Sequence, residues 1–179
     1  MRSLLFAGAV IDQTNTYGST ALMRATWNFR LTEILVEVGA NVNILNNYRI
    51  SALHHASQRN NADVLELLLK RGADIDEVND DGWTPLHFAC LYLHTAAPAV
   101  VESLLRHNAD IDIEDYNGRT ALQCAMFEPT SPNRLAVLQL MATCAQTRLE
   151  ASSADWIRLA RNERIRHSVF HGRSLLRDD

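Results

Sequence analysis

The chain has 179 residues, 47% of them hydrophobic and 21% charged, with a formal net charge of −4. This is the composition of a folded globular protein, and it excludes a disordered charged tail, a collagen-like chain and a low-complexity linker. The negative balance gives no general electrostatic case for nucleic acid.

The first residues, Met1-Arg2-Ser3-Leu4-Leu5-Phe6-Ala7-Gly8-Ala9-Val10-Ile11, carry one positive charge and a short apolar run. A secretory leader has that outline, but its apolar region is longer. The same residues also fit a register that recurs down the chain. No stretch approaches the roughly 20 apolar residues of a bilayer span. Three cysteines, Cys90, Cys124 and Cys144, are an odd number without close spacing. That is no disulfide framework, and it points to a reducing compartment, cytoplasmic or nuclear.

Two blocks repeat. Thr20-Ala21-Leu22-Met23, Ser51-Ala52-Leu53-His54, Thr84-Pro85-Leu86-His87 and Thr120-Ala121-Leu122-Gln123 recur at spacings of 31, 33 and 36. The second block starts at Gly8, Gly39, Gly72 and Asn108, each time 12 residues before the next first block. The segment from second to first block is therefore fixed in length, while the other segment varies.

Each copy reads the same way. Gly18, Gly82 and Gly118 stand where a turn needs positive φ. Thr or Ser follows as a helix N-cap, and Pro85 falls at a first helical position. A short Ala-containing helix comes next, such as 85–92. After a loop, a second helix shows apolar spacing, such as Val64, Leu65, Leu67, Leu68 and Leu69, and ends at Gly72. Neither helix of a pair can bury its apolar face alone, so neighbouring pairs must stack. Arg49 replaces the turn glycine in the second copy, which should cost about 1 kcal/mol. Asn108 replaces a helix-ending glycine, as Asn tolerates the left-handed region.

The 33-residue period and the Thr-Pro-Leu-His-x-Ala block of Thr84 to Ala89 resemble the ankyrin repeat. The resemblance covers roughly residues 3–144. It implies an all-α solenoid of stacked helix pairs joined by short β-hairpin loops. The expected boundaries are a partial repeat over 1–12, repeats over 13–43, 44–76, 77–112 and 113–149, and a capping helix with tail over 150–179. The opening inside a repeat leads to the expectation of a truncated sequence or part of a longer solenoid. A monomer is expected unless another chain caps that incomplete repeat.

In the tail, Ser152-Ser153-Ala154-Asp155 offers an N-cap before Trp156-Ile157-Arg158-Leu159-Ala160. Residues 145–179 carry net +2. Leu159 to Arg166 weakly resembles the start of a suppressor-of-cytokine-signalling box. The alternative role it implies is a ubiquitin-ligase substrate adaptor, with the tail as recruitment element.

Catalytic signals are missing. The chain lacks a phosphate-binding glycine pattern, a Cys-x-x-Cys pair and a Gly-x-Ser-x-Gly elbow. His54 and His87 sit at the fourth signature position, where similar repeats use a structural hydrogen-bond partner. His87 and Cys90 lack converging ligands, so no metal or other cofactor is expected. Asp110 to Asp115 reads as a solvated acidic edge rather than an acid–base pair.

The resemblance implies protein binding through hairpin tips and the inner-helix face, without catalysis. Carried over by register, the contact positions are Thr16, Tyr17, Ser19, Trp27 and Asn28 in the first repeat, and Asn47, Tyr48, Ile50, Gln58 and Arg59 in the second. The third gives Asp80, Asp81, Trp83, Leu91 and Tyr92, and the fourth gives Tyr116, Asn117, Arg119, Phe127 and Glu128. Seven of these twenty positions are aromatic, against five of the other 159. Tyr, Trp and Arg dominate interface hot spots. The residues expected to carry partner binding are Tyr17, Tyr48, Ile50, Asp80, Asp81, Trp83, Tyr92, Tyr116 and Arg119. Glu77, Asp80, Asp81, Glu114 and Asp115 should make the third and fourth tips acidic. The partner is another protein, with apolar anchors and some Lys or Arg, and neither nucleic acid nor membrane.

Overall fold

The computed structural model describes residues 10–91, 98–126 and 133–147. The chain divides into a unit of Met1–Met141 and a second of Ala142–Asp179. Most of the leading partial repeat, residues 92–97 with Tyr92, Phe127, Glu128 and the tail from 150 onward lie outside the described residues.

Eight helices are present among the described residues. They are α1 (Ala21–Ala25), α2 (Phe29–Glu37), α3 (Ala52–Gln58), α4 (Ala62–Lys70), α5 (Pro85–Leu91), α6 (Pro98–Arg106), α7 (Ala121–Met126) and α8 (Arg134–Thr147). The odd-numbered helices begin at the expected signature block. Thr20 and Ser51 accept from the N–H groups of Met23 and His54, so each hydroxyl satisfies an orphan donor of the first turn. Pro85 opens α5, where no hydrogen bond is lost.

In the first two pairs the second helix uses an asparagine cap. Asn28 Oδ1 accepts from Leu31 N–H, and Asn61 Oδ1 from Val64 N–H. Asn61 also donates from Nδ2 to the Thr26 carbonyl at 3.1 Å, tying α4 to the end of α1. Gly39, Gly72 and Asn108 end α2, α4 and α6 with positive φ. Asparagine at 108 does the work of glycine, as the sequence implied.

In the first unit, α1, α3, α5 and α7 pack in one column and α2, α4 and α6 in a second. The inner column is close because Ala25, Ala56, Ala89 and Ala125 occupy one repeat position and are all buried. Larger side chains fill the space between columns. Leu53, Leu65, Leu68, Leu86 and Leu104 are buried, and each contributes about 2 kcal/mol. This is the stacked helix-pair architecture expected from the repeats. The hairpins are turns rather than strands. Among the described residues the β-type pairing is an isolated antiparallel bridge between Glu114 and Thr120.

Arg49 adopts φ 56° in the place of the turn glycine. Its guanidinium reaches across to the next repeat, donating from Nε to the Val78 carbonyl and pairing with Glu77. Those bonds offset part of the left-handed strain. Arg49→Ala removes them and keeps the strain, whereas Arg49→Gly removes both. Thermal melting should find the glycine variant more stable than the alanine variant by about 1 kcal/mol. Equal melting would show that the turn relaxes its φ.

Candidate partner-binding surface

Each hairpin tip is built around one Asn or Asp side chain. Asn15, Asn46, Asn79 and Asp115 stand five residues before the successive N-caps. Asn15 Oδ1 accepts from Tyr17 and Ser19 N–H at 2.9 and 3.0 Å. Asn46 does the same for Tyr48 and Ile50, Asn79 for Asp81 and Trp83, and Asp115 for Asn117 and Arg119. An Asn or Asp here fixes the tip backbone by local side-chain bonding. The signal was present in the sequence as a fourfold recurrence.

The tips are also joined to one another. Asn47 N–H donates to the Tyr17 carbonyl at 3.0 Å, Asp80 N–H to Tyr48 at 3.3 Å, and Tyr116 N–H to Asp81 at 3.1 Å. A second line of bonds runs beside the first. Asp12, Asn43 and Asp76 side chains accept from the N–H groups of Asn41, Asp74 and Asp110. Gly82 is needed at one such junction. A Cβ there would lie 2.8 Å from both the backbone N and the ring of Tyr116.

On this scaffold Tyr17, Tyr48 and Tyr116 are 61%, 55% and 73% exposed. Trp27, at the end of α1, is 62% exposed. Asp80 and Asp81 are exposed on the third tip. Tyr92 lies outside the described residues.

Three members of the expected surface are placed differently. Trp83 is only partly exposed. Its indole N–H donates to Asp115 Oδ2 at 3.1 Å, and its ring meets Phe88 edge-on at 5.6 Å. Ile50 is also half-buried. Asp115, expected on a solvated acidic edge, is 3% exposed. Burial would raise its carboxyl pKa. Hydrogen bonds from Arg119, Asn117 and Trp83 outweigh that and hold it well below the usual range. Arg119 forms a forked contact with Asp115 Oδ2, at 2.9 Å from Nε and 2.7 Å from Nη2. The fourth tip is therefore held by an ion pair, and Arg119 is engaged in it.

The signature histidines are structural. Ser51 N–H donates to His54 Nδ1 at 3.2 Å, which leaves Nε2–H to donate to the Trp83 carbonyl at 3.0 Å. His87 repeats this with Thr84 and the Arg119 carbonyl. Each imidazole thus links one N-cap to the next tip. Burial lowers the His54 pKa to about 4 and lowers that of His87 as well. Cys90 is buried, and burial pushes its thiol pKa up. Among the described residues, no group of three or more His, Cys, Asp or Glu side chains is placed to hold a metal. Among the same residues, no helix is long and apolar enough to cross a membrane.

The geometry agrees with the comparisons to known proteins. Two models of ankyrin repeats match, one described as many copies over residues 35–89 and one as three copies over residues 72–150. An ankyrin repeat protein of fowlpox virus is 29% identical over 159 residues, which is 79% of this chain and 44% of the viral protein. Chicken inversin is 33% identical over 62% of this chain and 10% of its own length. Human SH3 and multiple ankyrin repeat domains protein 2 is 30% identical over 78% of this chain and 8% of its own. The chain thus spans less than half of these relatives. Helix pairs in two columns, tips bonded tip to tip and signature histidines linking cap to carbonyl accompany these matches: the chain belongs to the ankyrin-repeat family.

Proposed function

We propose that the chain is a non-catalytic protein-interaction module, a scaffold or adaptor that grips a partner with its hairpin tips and inner-helix face. Ankyrin repeats are in general protein-interaction modules. The observation that carries the reading here is the exposure of Tyr17, Tyr48 and Tyr116 on tips whose backbones are fixed by side-chain and inter-repeat bonds. Folding does not need a tyrosine at any of these positions. A rigid aromatic on a fixed turn loses little entropy on binding, which is what an interface anchor requires. Asp80 and Asp81 add acidic character on the third tip. They favour a basic group on the partner and disfavour nucleic acid. Cys90, Cys124 and Cys144 form no disulfide among the described residues, in keeping with a reducing compartment.

Alanine at Tyr17, Tyr48 or Tyr116 should leave the melting temperature unchanged. Affinity for a captured partner should fall by about 2 kcal/mol at a hot-spot position. Titration calorimetry with that partner measures it. Full affinity in the Tyr17/Tyr48/Tyr116 triple variant would remove the tips from the binding surface. Trp83→Ala should lose stability as well as affinity, because its ring packs on Phe88 and its N–H is bonded to Asp115.

A further inference from the structure

The inner helices carry an uneven distribution of charge. None of α1, α3, α5 and α7 contains an acidic residue. Their register places Arg24 of α1 and His55 of α3 at the same repeat position, four residues after the N-cap. α1 and α3 pack side by side, so the two positions are neighbours in the inner column. Arg59 follows His55 by one helical turn, at the C-cap of α3. Residues four apart on a helix share a face.

Arg24 and Arg59 are both exposed, and neither has an ion-pair partner among the described residues. The basic residues Arg30, Arg49, Arg106 and Arg119 each pair with a carboxylate. His55 Nδ1 is buried and has no hydrogen-bond partner there either. Burial, then Arg59 and more weakly Arg24, lower the His55 pKa to about 4, while a bond with Gln58 opposes them. Both guanidinium charges therefore act on this imidazole. In the next two repeats the Arg24 and His55 position is filled by Phe88 and Cys124, which are buried. The cationic character is thus confined to the first two repeats. Trp27, exposed, follows Arg24 by three residues and stands one residue before the cap of α2.

We propose that the inner-helix face of the first two repeats, with Arg24 and Arg59, docks an acidic peptide segment of the partner protein. An Asp or Glu carboxylate lies between the two guanidinium groups, and an apolar side chain beside it rests on Trp27. Guanidinium matches a carboxylate in planar, forked geometry. His55, neutral at pH 7, adds no charge of its own, so the attraction for an anion comes from the two unpaired guanidinium groups, and two such charges attract a carboxylate more strongly than one isolated cation. The proposal rests on the protein-binding reading above and names the chemistry of one part of the partner. The exposed acids of the third tip call for the opposite charge, so the partner is bipolar along its length.

The test displays random dodecapeptides against the immobilised full chain. Fluorescence anisotropy then follows the most enriched peptide and its version with Asp and Glu replaced by Asn and Gln. Enriched peptides are expected to carry net negative charge. Replacing their carboxyl groups should weaken binding about tenfold or more, and Arg24→Ala or Arg59→Ala should each do so about tenfold. The double variant R24E/R59E should abolish selection of acidic peptides at an unchanged melting temperature, and R24K/R59K should retain part of it. Neutral or basic enriched peptides, no enriched peptide, or equal binding to R24E/R59E would overturn the proposal. Binding seen only when phosphoserine replaces Glu would also overturn it. So would self-association of the chain that R24E/R59E abolishes, since the occupant would then be a second copy. Peptides that lose affinity with Tyr17→Ala/Tyr48→Ala but not with R24E/R59E would sink this occupant and leave the interaction module standing.

Discussion

Asp115→Ala is expected to lower the unfolding free energy by about 3 kcal/mol, measured by urea denaturation. The side chain is buried and accepts five hydrogen bonds: two from the backbone of its own turn, two from Arg119 and one from the Trp83 indole. Alanine leaves these donors without their acceptor and the Arg119 charge without its counter-ion. The companion variant separates the turn from the charge. Asn stands at this position in the other three tips and supports the same pair of backbone bonds. Asp115→Asn should therefore keep the turn and lose only the ion pair and the indole bond, at about 1 kcal/mol. Equal losses in the two variants would place the whole effect in the charge. An unaffected Asp115→Ala protein would show that the turn is set by Gly118 and the inter-repeat bonds alone.

The helix pairs were legible because their signals are local and repeated. Hydroxyl caps, Pro85, the buried alanines and the terminal glycines each report one backbone state, and four copies in phase remove the ambiguity of any one. The exposure of individual tip residues was not legible in the same way. Tyr17 and Tyr48 hold equivalent positions and both face solvent, whereas Trp83, at the position of Ile50, leans on the following repeat. What decides is the neighbour: Phe88 offers an aromatic face and Asp115 an acceptor. Neither is visible from the position of Trp83 itself. The same dependence hides the burial of Asp115, which in sequence looks like one more acid in a run from Asp110. The Asn/Asp column at the start of each turn is legible only as a recurrence across all four tips, since a single Asn or Asp in a loop does not by itself report which backbone groups it bonds.

If the tips bind a partner as proposed, their ordering bears on affinity. Each exposed tyrosine sits on backbone bonded to the tip before or after it. A partner that engages several tips meets a surface already arranged, and the ordering cost of binding falls on the partner. Stability at one junction is then coupled to affinity at the next. Asp115→Ala should weaken partner binding through Tyr116 even though the tyrosine itself is unchanged, since Tyr116 N–H is anchored to Asp81 and its successor Asn117 to Asp115.

Stability should fall steeply as pH drops from about 6.5 to about 4, the interval in which the buried histidines are driven to charge. Burial lowers the pKa of His54 from 6.5 to about 4, and of His55 likewise. His87 shifts in the same direction for the same cause. A lowered histidine pKa means that the unfolded chain binds more protons than the folded one, so stability rises with pH. The full contribution is present above the unfolded value and is lost as pH falls toward the folded value. For His54 alone the loss is about 2 kcal/mol at pH 5 and about 3 kcal/mol at pH 4. The carboxylates overlap only the acid end of this interval. Asp115 and Glu66 are held below their ordinary values of 3.8 and 4.5, so their contributions are complete well above those values and are lost as pH falls through them toward the folded values. The fourth repeat suggests the control. Gln123 occupies the histidine position there, and its Oε1 accepts from Thr120 N–H at 2.8 Å. His54→Gln should therefore keep the link to Ser51 and remove one titrating group. Urea denaturation of this variant at pH 7.5 and pH 5 should show a smaller loss than wild type, by about 2 kcal/mol. An unchanged acid slope would mean that His54 is not the group that charges, and that the cap-to-tip link tolerates an imidazolium.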